Sequence, residues 1–399
     1  MENLRQGACL AIDNASEELN SISQTLWKRP ELGLNEIHAH TVLTDFLEQK
    51  GFTVHRNFIL DTAFKAELGS TDNGPNIAVI CEYDALPEIG HACGHNLIAE
   101  SGISAAIGVQ AAFTRSGTPI GKITILGTPD EEGYGGKIDL IEAGAFNEID
   151  VAMMVHPFPK TISNVEMLAV DGVTIKYIGK AAHAAAYPWE GVNALDAAVL
   201  CYQNVSCLRQ QLKPTWRVHG VIKNGGVKPN IIPELSELEF YFRTPSRKEL
   251  DELRDKMKAC FEAAAVATCC QVEYEFTGRP CLNVVTNKRL EAAFRKNAES
   301  LGVKFDSAEG QIGGSTDMGN VSQIVPSIHP FYAIGTSSVN HSKEFVLASG
   351  DPKAQLPTLT QGKAMALTCL ELFQDKDLLK EIKEEFAVFK TLSARMGQN

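Results

Sequence analysis

Nowhere in its 399 positions does the chain contain a run of roughly 20 uninterrupted apolar residues, the length a membrane-crossing helix requires. Its opening, MENLRQGACLAIDNASEELN, carries acids early and lacks the basic start and apolar centre of a secretory signal. Both absences lead to the expectation of a cytosolic protein without a membrane partner. Positive charge is also in deficit, with 37 Lys and Arg against 49 Asp and Glu, a formal net charge of −12. Nucleic acids and anionic membranes both attract a basic face, so neither is expected as the main partner. The 10 cysteines have no regular spacing, which argues against a disulfide framework and leaves most of them to be reduced and buried. Internal repeats and low-complexity segments are absent as well. What remains is 44% hydrophobic and 22% charged, the balance of a folded globular protein with room for about two or three domains.

The first part of the chain alternates between helical and strand-like patterns, as an α/β domain does. ASEELNSISQTLWKRPEL predicts a helix up to Pro30, and HAHTVLTDFLEQKGF a second one ended by Gly51. NIAVICEYD, KITILGTPDEE and VAMMVHP are apolar runs of strand length, continuous enough to be buried on both faces. Helices are predicted over LIAESGISAAIGVQAAF and KIDLIEAGAF. Between about 170 and 285 the order becomes strand, helix, strand, strand, helix, strand, in GVTIKYIGK, NALDAAVLCYQNVSCLRQQL, WRVHGVIKN, SELEFYFRT, RKELDELRDKMKACFEAAAVA and CQVEYEFTG. This is the split βαβ order of a ferredoxin-like α+β domain. The first style then returns with the helix KRLEAAFRKNAESLG, the strand HPFYAIG and a long C-terminal helix. The expected organisation is one α/β domain over 1–170 and 286–399, with a smaller α+β domain inserted at 171–285.

The chemistry collects at strand ends. Asp84 ends the first apolar run, Glu131 and Glu132 follow the second, and His156 ends the third. Open α/β sheets bind ligands at that edge, so these residues are expected to share a crevice. Between the first two runs lies HACGH, residues 91–95, where Gly94 permits a tight turn that turns Cys93 and His95 to one site. Thiolate, imidazole and carboxylate together are the ligand set of zinc. Of two adjacent carboxylates, one can hold metal while the other takes a proton from the attacking water. Taken singly, each feature has a plainer explanation: a buried thiol, a structural histidine before Pro157, a solvated acidic pair. At three successive strand ends the coincidence favours a metal centre.

The stretches RPELGLNE, CEYDALPEIGHACGHN, GTPDEEGYGGK, VHPFP, GKAAHAA, GGVKPNIIPE and NHSKEF, in this order, resemble the aminoacylase/carboxypeptidase family of co-catalytic metallopeptidases, in its amidohydrolase branch. The resemblance extends over nearly the whole chain. It implies a zinc-peptidase-like catalytic domain with a mixed sheet flanked by helices, and an inserted lid or dimerisation domain. It implies two divalent cations, zinc before manganese or cobalt, held by Cys93, His95, Glu132, His156 and His341. Glu131 is then the general base and Asp84 orients a ligand. His183 of AAHAA polarises the scissile carbonyl, often from a neighbouring subunit, while Asn230 and Arg243 grip the substrate carboxylate. Without the resemblance, Arg243 reads as a strand-edge surface residue and Asn230 as a turn former. Gly313 and Gly314 allow close approach of the backbone to substrate, although a plain turn explains them equally. His91 and His329 are not expected among the ligands. The chain has Glu82 where many relatives outside the branch have a metal-binding histidine, and Asn96 and Ile98 where many members have aspartate and histidine.

The expected activity is hydrolysis of an amide bond next to a free carboxylate, on dipeptides with a basic C-terminal residue. Rivals are an N-acyl-amino-acid or aminobenzoyl-glutamate hydrolase, a silent binding protein that keeps the fold, and a structural zinc site closed by Cys93. A homodimer through the inserted domain is expected, with GVTIKYIGK available for edge-to-edge pairing with a second copy.

Overall fold

The computed structural model describes residues 2–308 and 314–395. Two compact units emerge among the described residues: 2–166 with 284–394, and 167–283 with Arg395. Strands of the first unit are β1 (Thr53–Arg56), β2 (Phe64–Gly69), β3 (Asn76–Cys81), β4 (Lys122–Gly127), β5 (Val151–Met153) and β6 (His156–Phe158). Those of the second are β7 (Ala169–Ile178), β8 (Arg217–Asn224), β9 (Leu235–Thr244) and β10 (Gln271–Phe276), after which β11 (Ser327–Ile328) and β12 (Phe331–Ala333) belong to the first. The helices are α1 (Glu2–Asn14), α2 (Ser16–Lys28), α3 (Ile37–Gln49), α4 (His95–Ser116), α5 (Gly136–Glu142), α6 (Ala194–Leu208) and α7 (Arg247–Thr268). They continue with α8 (Lys288–Ser300), α9 (Met318–Ser322), α10 (Lys343–Ser349), α11 (Gln355–Gln374) and α12 (Lys376–Arg395).

In the first unit a mixed sheet runs β1-β2-β4-β3-β5-β11, with β4, β3, β5 and β11 mutually parallel and β1 and β2 antiparallel. Alternation along β3 explains why every residue there is apolar or paired. Ile77, Val79 and Cys81 enter one core with α1, α2, α4 and α11, whereas Ala78 and Ile80 enter a second core beside α5 and α9. Central helix α4 is long and apolar enough, by length and composition, to cross a membrane. Within the unit 83% of its apolar window is buried, and α1, α2 and α11 pack around it, so it serves as the core helix.

The second unit is a four-stranded antiparallel sheet in the order β10-β7-β9-β8, with α6 and α7 packed on one face. Inward residues Val173, Ile175 and Tyr177 of β7 and Leu238, Phe240 and Phe242 of β9 meet Cys201, Val205, Leu253, Met257 and Phe261 of the helices. The order is that of the ferredoxin-like fold. It corrects one expectation: GVTIKYIGK lies in β7, which is flanked on both sides, so the free edges are β8 and β10. Arg243 likewise sits on the interior strand β9, opposite Val170 and Arg217, and not at a strand edge.

Two further differences have local causes. The expected C-terminal helix is broken at Asp375, whose carboxylate accepts the Leu378 N–H at 2.9 Å and caps α12. HPFYAIG is only partly strand, because His329–Pro330 separates β11 from β12.

Candidate metal centre

Parallel β3, β4 and β5 end at the same edge of the sheet, and each continues into a loop that carries donors. β3 leads to Glu82 and Asp84, β4 to Glu131 and Glu132, and β5 to His156 at the start of β6. Gly94, at φ +83°, turns the chain from Cys93 into α4, so His95 is the first helical residue. A Cβ at Gly94 would stand 2.6 Å from Pro157 Cγ, so glycine is required both by conformation and by space. His341 comes from far along the chain. Its backbone N–H donates to Ala92 O at 2.9 Å, and the neighbouring Asn340 amide donates to Cys93 O and Pro157 O, each at 3.2 Å. Holding His341 at φ +66°, uncommon for a residue with a Cβ, is the consequence of this docking.

These segments assemble two donor sets that share one atom. Cys93 Sγ joins the rings of His95 and His156, and the same sulfur joins Glu132 and His341; within each set the donor atoms lie within 4.8 Å of one another. Cys93 Sγ stands 3.4 Å from His156 Nε2, and His341 Nε2 3.1 Å from Glu132 Oε1. Both buried imidazoles are oriented from behind. Asp84 Oδ1 takes the His95 Nδ1 proton at 2.9 Å, and Pro157 O takes that of His156 at 2.8 Å, which leaves both Nε2 lone pairs for ligation. Asp84 also accepts the Glu132 N–H at 2.9 Å, so one carboxylate fixes two of the five donors.

Charge follows from this packing. Burial opposes ionisation of Asp84, yet the His95 ring and its hydrogen bond outweigh it and hold the carboxyl below its ordinary value. Burial likewise works against Glu132, but the contact with His341 and the nearby His95 ring keep it below the usual range. Glu131 goes the other way: burial first, then the Glu82 and Glu132 charges, push it well above. Burial, followed by the Glu132 charge, also raises the Cys93 thiol far above its ordinary value. A cation is what would hold this sulfur as thiolate, and His95 Nε2 is a buried atom without a hydrogen-bond partner among the described residues. The donor set therefore fits a pair of divalent cations.

Residues 169–269 match the peptidase dimerisation domain of M20 peptidases. The chain is 50% identical to the Xaa-Arg dipeptidase of Mus musculus, over 97% of its own length and 93% of that protein's. It belongs to the M20 family of metallopeptidases. More distant M20 likeness extends to a p-aminobenzoyl-glutamate hydrolase chain from Escherichia coli K12, 28% identical over 94% of this chain and 93% of that one. The fold matches a dinuclear metal-binding M20 peptidase of Bacillus subtilis with a TM-score of 0.69, at 22% identity, covering 90% of this chain and 99% of the other.

Of the remaining residues singled out in this M20 sequence, His183, Asn230 and Arg243 all lie in the second unit. A β-bridge joins His183 to Ile231, and Ala184 N–H donates to Asn230 O at 3.1 Å, which brings the AAHAA and GGVKPN stretches together. His183 is exposed, and its Nδ1 accepts the Ala185 and Ala186 N–H groups at 3.3 and 3.2 Å. In the neutral ring the proton then sits on Nε2. Arg243 is half-buried, and burial lowers its pKa from the ordinary value. Gly314 is exposed; Gly313 lies outside the described residues. His91 and His329 are buried beside the centre but belong to neither Cys93 set.

Sequence reading missed a second layer. Lys137, fully buried, donates to Glu82 Oε1 at 2.5 Å and to Asp317 Oδ1 at 2.6 Å, while its backbone N–H donates to Asp317 Oδ2 at 3.0 Å. Burial opposes the charged amine, but Asp317 and Glu82 outweigh it and hold Lys137 above its ordinary value. Glu82 Oε2 in turn stands 3.5 Å from His95 Nε2, and Glu82, His95 and Glu131 form a third close donor group. In sequence Lys137 is merely the first residue of an amphipathic helix, and a buried lysine carries no periodicity of its own. Lys137→Met strands two buried carboxylates, so unfolding in denaturant is expected to show a loss of about 3 kcal/mol. Adding Glu82→Gln and Asp317→Asn should restore part of it, and a loss under about 1 kcal/mol would remove the clamp from the account.

Proposed function

We propose that this chain is a two-metal dipeptidase that hydrolyses the amide bond before a basic C-terminal residue, of the Xaa-Arg, Xaa-Lys and beta-alanyl-lysine type. The observation that carries the chemistry is the Cys93 thiol common to two donor sets, with the acid Glu131 beside them. The substrate class is supported by the identity to the murine Xaa-Arg dipeptidase. Cys93, His95 and His156 would hold one cation, and Cys93, Glu132 and His341 the other. When bound, such cations polarise the scissile carbonyl as Lewis acids and make water more acidic. Thiolate and imidazole suit zinc, while the carboxylates also admit manganese or cobalt.

Glu131 takes a proton from the attacking water and returns it to the leaving amine. Asp84 keeps the His95 ring and the Glu132 backbone in register throughout. His183, with its proton on Nε2, donates to the carbonyl oxygen as negative charge develops there. Arg243 grips the substrate carboxylate through its planar fork and Asn230 through its amide. Gly314, with open space where a Cβ would be, leaves room for the substrate backbone. A reducing, cytosolic setting is part of this reading, because the shared thiol must stay unoxidised.

A second reading, an aminobenzoyl-glutamate or N-acyl-amino-acid hydrolase, is favoured by the similarity to the Escherichia coli enzyme. Hydrolysis of beta-Ala-Lys, an N-acetyl amino acid and aminobenzoyl-glutamate separates the two. The dipeptide is expected to have a kcat/KM at least about tenfold above the others; a preference for either conjugate would reverse the assignment.

A homodimer through residues 167–283 belongs to the same proposal, supported by the match to the dimerisation domain. β8 offers the free edge, with Val221 and Ile222 exposed along it. Light scattering should give twice the 43.4 kDa of one chain; a monomeric mass would refute the dimer.

A further inference from the structure

Of the stretches that carry the family resemblance, RPELGLNE, residues 29–36, has no task in the hydrolytic reading. It forms the connection between α2 and α3 and reaches both loops that bear the acids of the centre. Glu31 O accepts the Ala85 N–H at 2.8 Å, directly beside Asp84. The Glu31 carboxylate accepts the His38 and Ala39 N–H groups at 2.8 and 3.0 Å, which anchors the connection to the start of α3. Glu36 is 0% exposed. Its Oε1 accepts the Asp130 N–H at 2.9 Å, and its Oε2 accepts the Thr62 hydroxyl at 2.7 Å. Thr62 O in turn accepts the Tyr83 hydroxyl at 2.5 Å, so the bonds return to the residue before Asp84.

Asp130 is the point on which these contacts converge. It holds φ +61°, a left-handed conformation uncommon for a residue with a Cβ. Its Oδ2 accepts the Tyr134 N–H at 2.9 Å, and its carbonyl accepts the Gly135 N–H at 3.0 Å. A Cβ at Gly33 or at Gly133 would overlap Asp130 Oδ1, so two glycines wall in the side chain. Backbone held in such a state persists only where its surroundings over-determine it. Glu131 comes next, and the N–H after it, that of Glu132, is held by Asp84 Oδ2 at 2.9 Å. Glu131 is thus suspended between two backbone N–H groups, each bound to a buried carboxylate.

We propose that Glu36 is a positioning residue for the hydrolytic site: by holding the Asp130 N–H it fixes the left-handed turn that places Glu131 and Glu132. The inference rests on the hydrolytic reading and adds to it a residue that touches neither substrate nor cation. Glu36 acts as an acceptor and not as a charge. Burial raises its carboxyl to about 7, and its ionised and neutral forms both keep an oxygen for the Asp130 N–H. Without that acceptor the N–H is left buried and unpaired, and the turn relaxes and carries Glu131 with it.

Glu36→Leu removes the acceptor at similar size, and Glu36→Gln restores it. In Glu36→Leu, kcat on beta-Ala-Lys at saturating metal is expected to fall about 10–100-fold with KM unchanged. Its second metal equivalent is expected to bind at least about tenfold more weakly. Glu36→Gln is expected to match the parent chain in both measurements. A merely structural Glu36 would lower Tm and leave kcat and metal affinity of the folded protein intact, and that result overturns the proposal. A Glu36→Gln variant as impaired as Glu36→Leu overturns it too. If Glu36→Leu does not fold, Gly33→Ala, in the half-buried connection, displaces Asp130 from the other side, and an unchanged kcat there counts against the proposal. A parent chain that hydrolyses no dipeptide or conjugate would sink the hydrolytic reading; the metal titration then decides the role of Glu36, and equal affinities in parent and Glu36→Leu overturn it.

Discussion

Glu131→Gln should lower kcat by about 10²–10⁴-fold while both cations stay bound. The substitution keeps the size of the side chain and removes only its capacity to carry a proton. Glu131 Oε2 lies 3.8 Å from His95 Nε2, close enough to serve the reacting water, yet the residue belongs to neither set that contains Cys93. Burial and the flanking charges of Glu82 and Glu132 raise its proton affinity, which suits a group that must hold a proton and then give it to an amine. Elemental analysis of the variant would separate a lost proton carrier from a lost metal. A variant that hydrolyses beta-Ala-Lys as fast as the parent chain removes Glu131 from the mechanism as its base, whereas no hydrolysis by the metal-loaded parent would favour the silent-binding alternative.

Cys93→Ala should be at least as damaging, for a different reason. The sulfur is the one donor common to both sets, so its loss takes a ligand from each cation at once. Both equivalents are expected to weaken together, with kcat/KM falling by roughly 10³-fold or more. Thermal unfolding distinguishes this from a merely structural zinc site. If Cys93 closed a structural site, metal removal would unfold the chain; here chelation is expected to stop turnover with the fold retained, because the unit has its own extensive apolar cores.

Much of this was legible in the sequence, and the reason is geometric. β3, β4 and β5 are continuous apolar runs because helices cover both faces, and parallel strands deliver their C-terminal residues to one edge. Cys93, His95, Glu132 and His156 could therefore be grouped before any coordinate was known, whereas His341 needed the family resemblance. β1 and β2 went unassigned. β1 is only 4 residues long and alternates exposed and half-buried positions with no apolar face, and β2 interleaves its apolar residues with Lys65 and Glu67 instead of forming a continuous apolar run. Lys137 and Asp317 stayed hidden because charged residues in sequence read as solvated whether or not the fold buries them, and Glu82 stood out only as a departure from the family pattern. The exchange of edges in the second unit followed from topology: strand order cannot be read from a single strand, and β7 became internal only once β10 returned to pair with it.

X-ray absorption at the metal edge, combined with elemental analysis of the purified enzyme, tests the central claim most directly. The account predicts two cations per chain and a sulfur scatterer at roughly 2.3 Å, the distance of a zinc–thiolate bond, shared by both. One cation per chain, or a metal shell containing only nitrogen and oxygen, would contradict it.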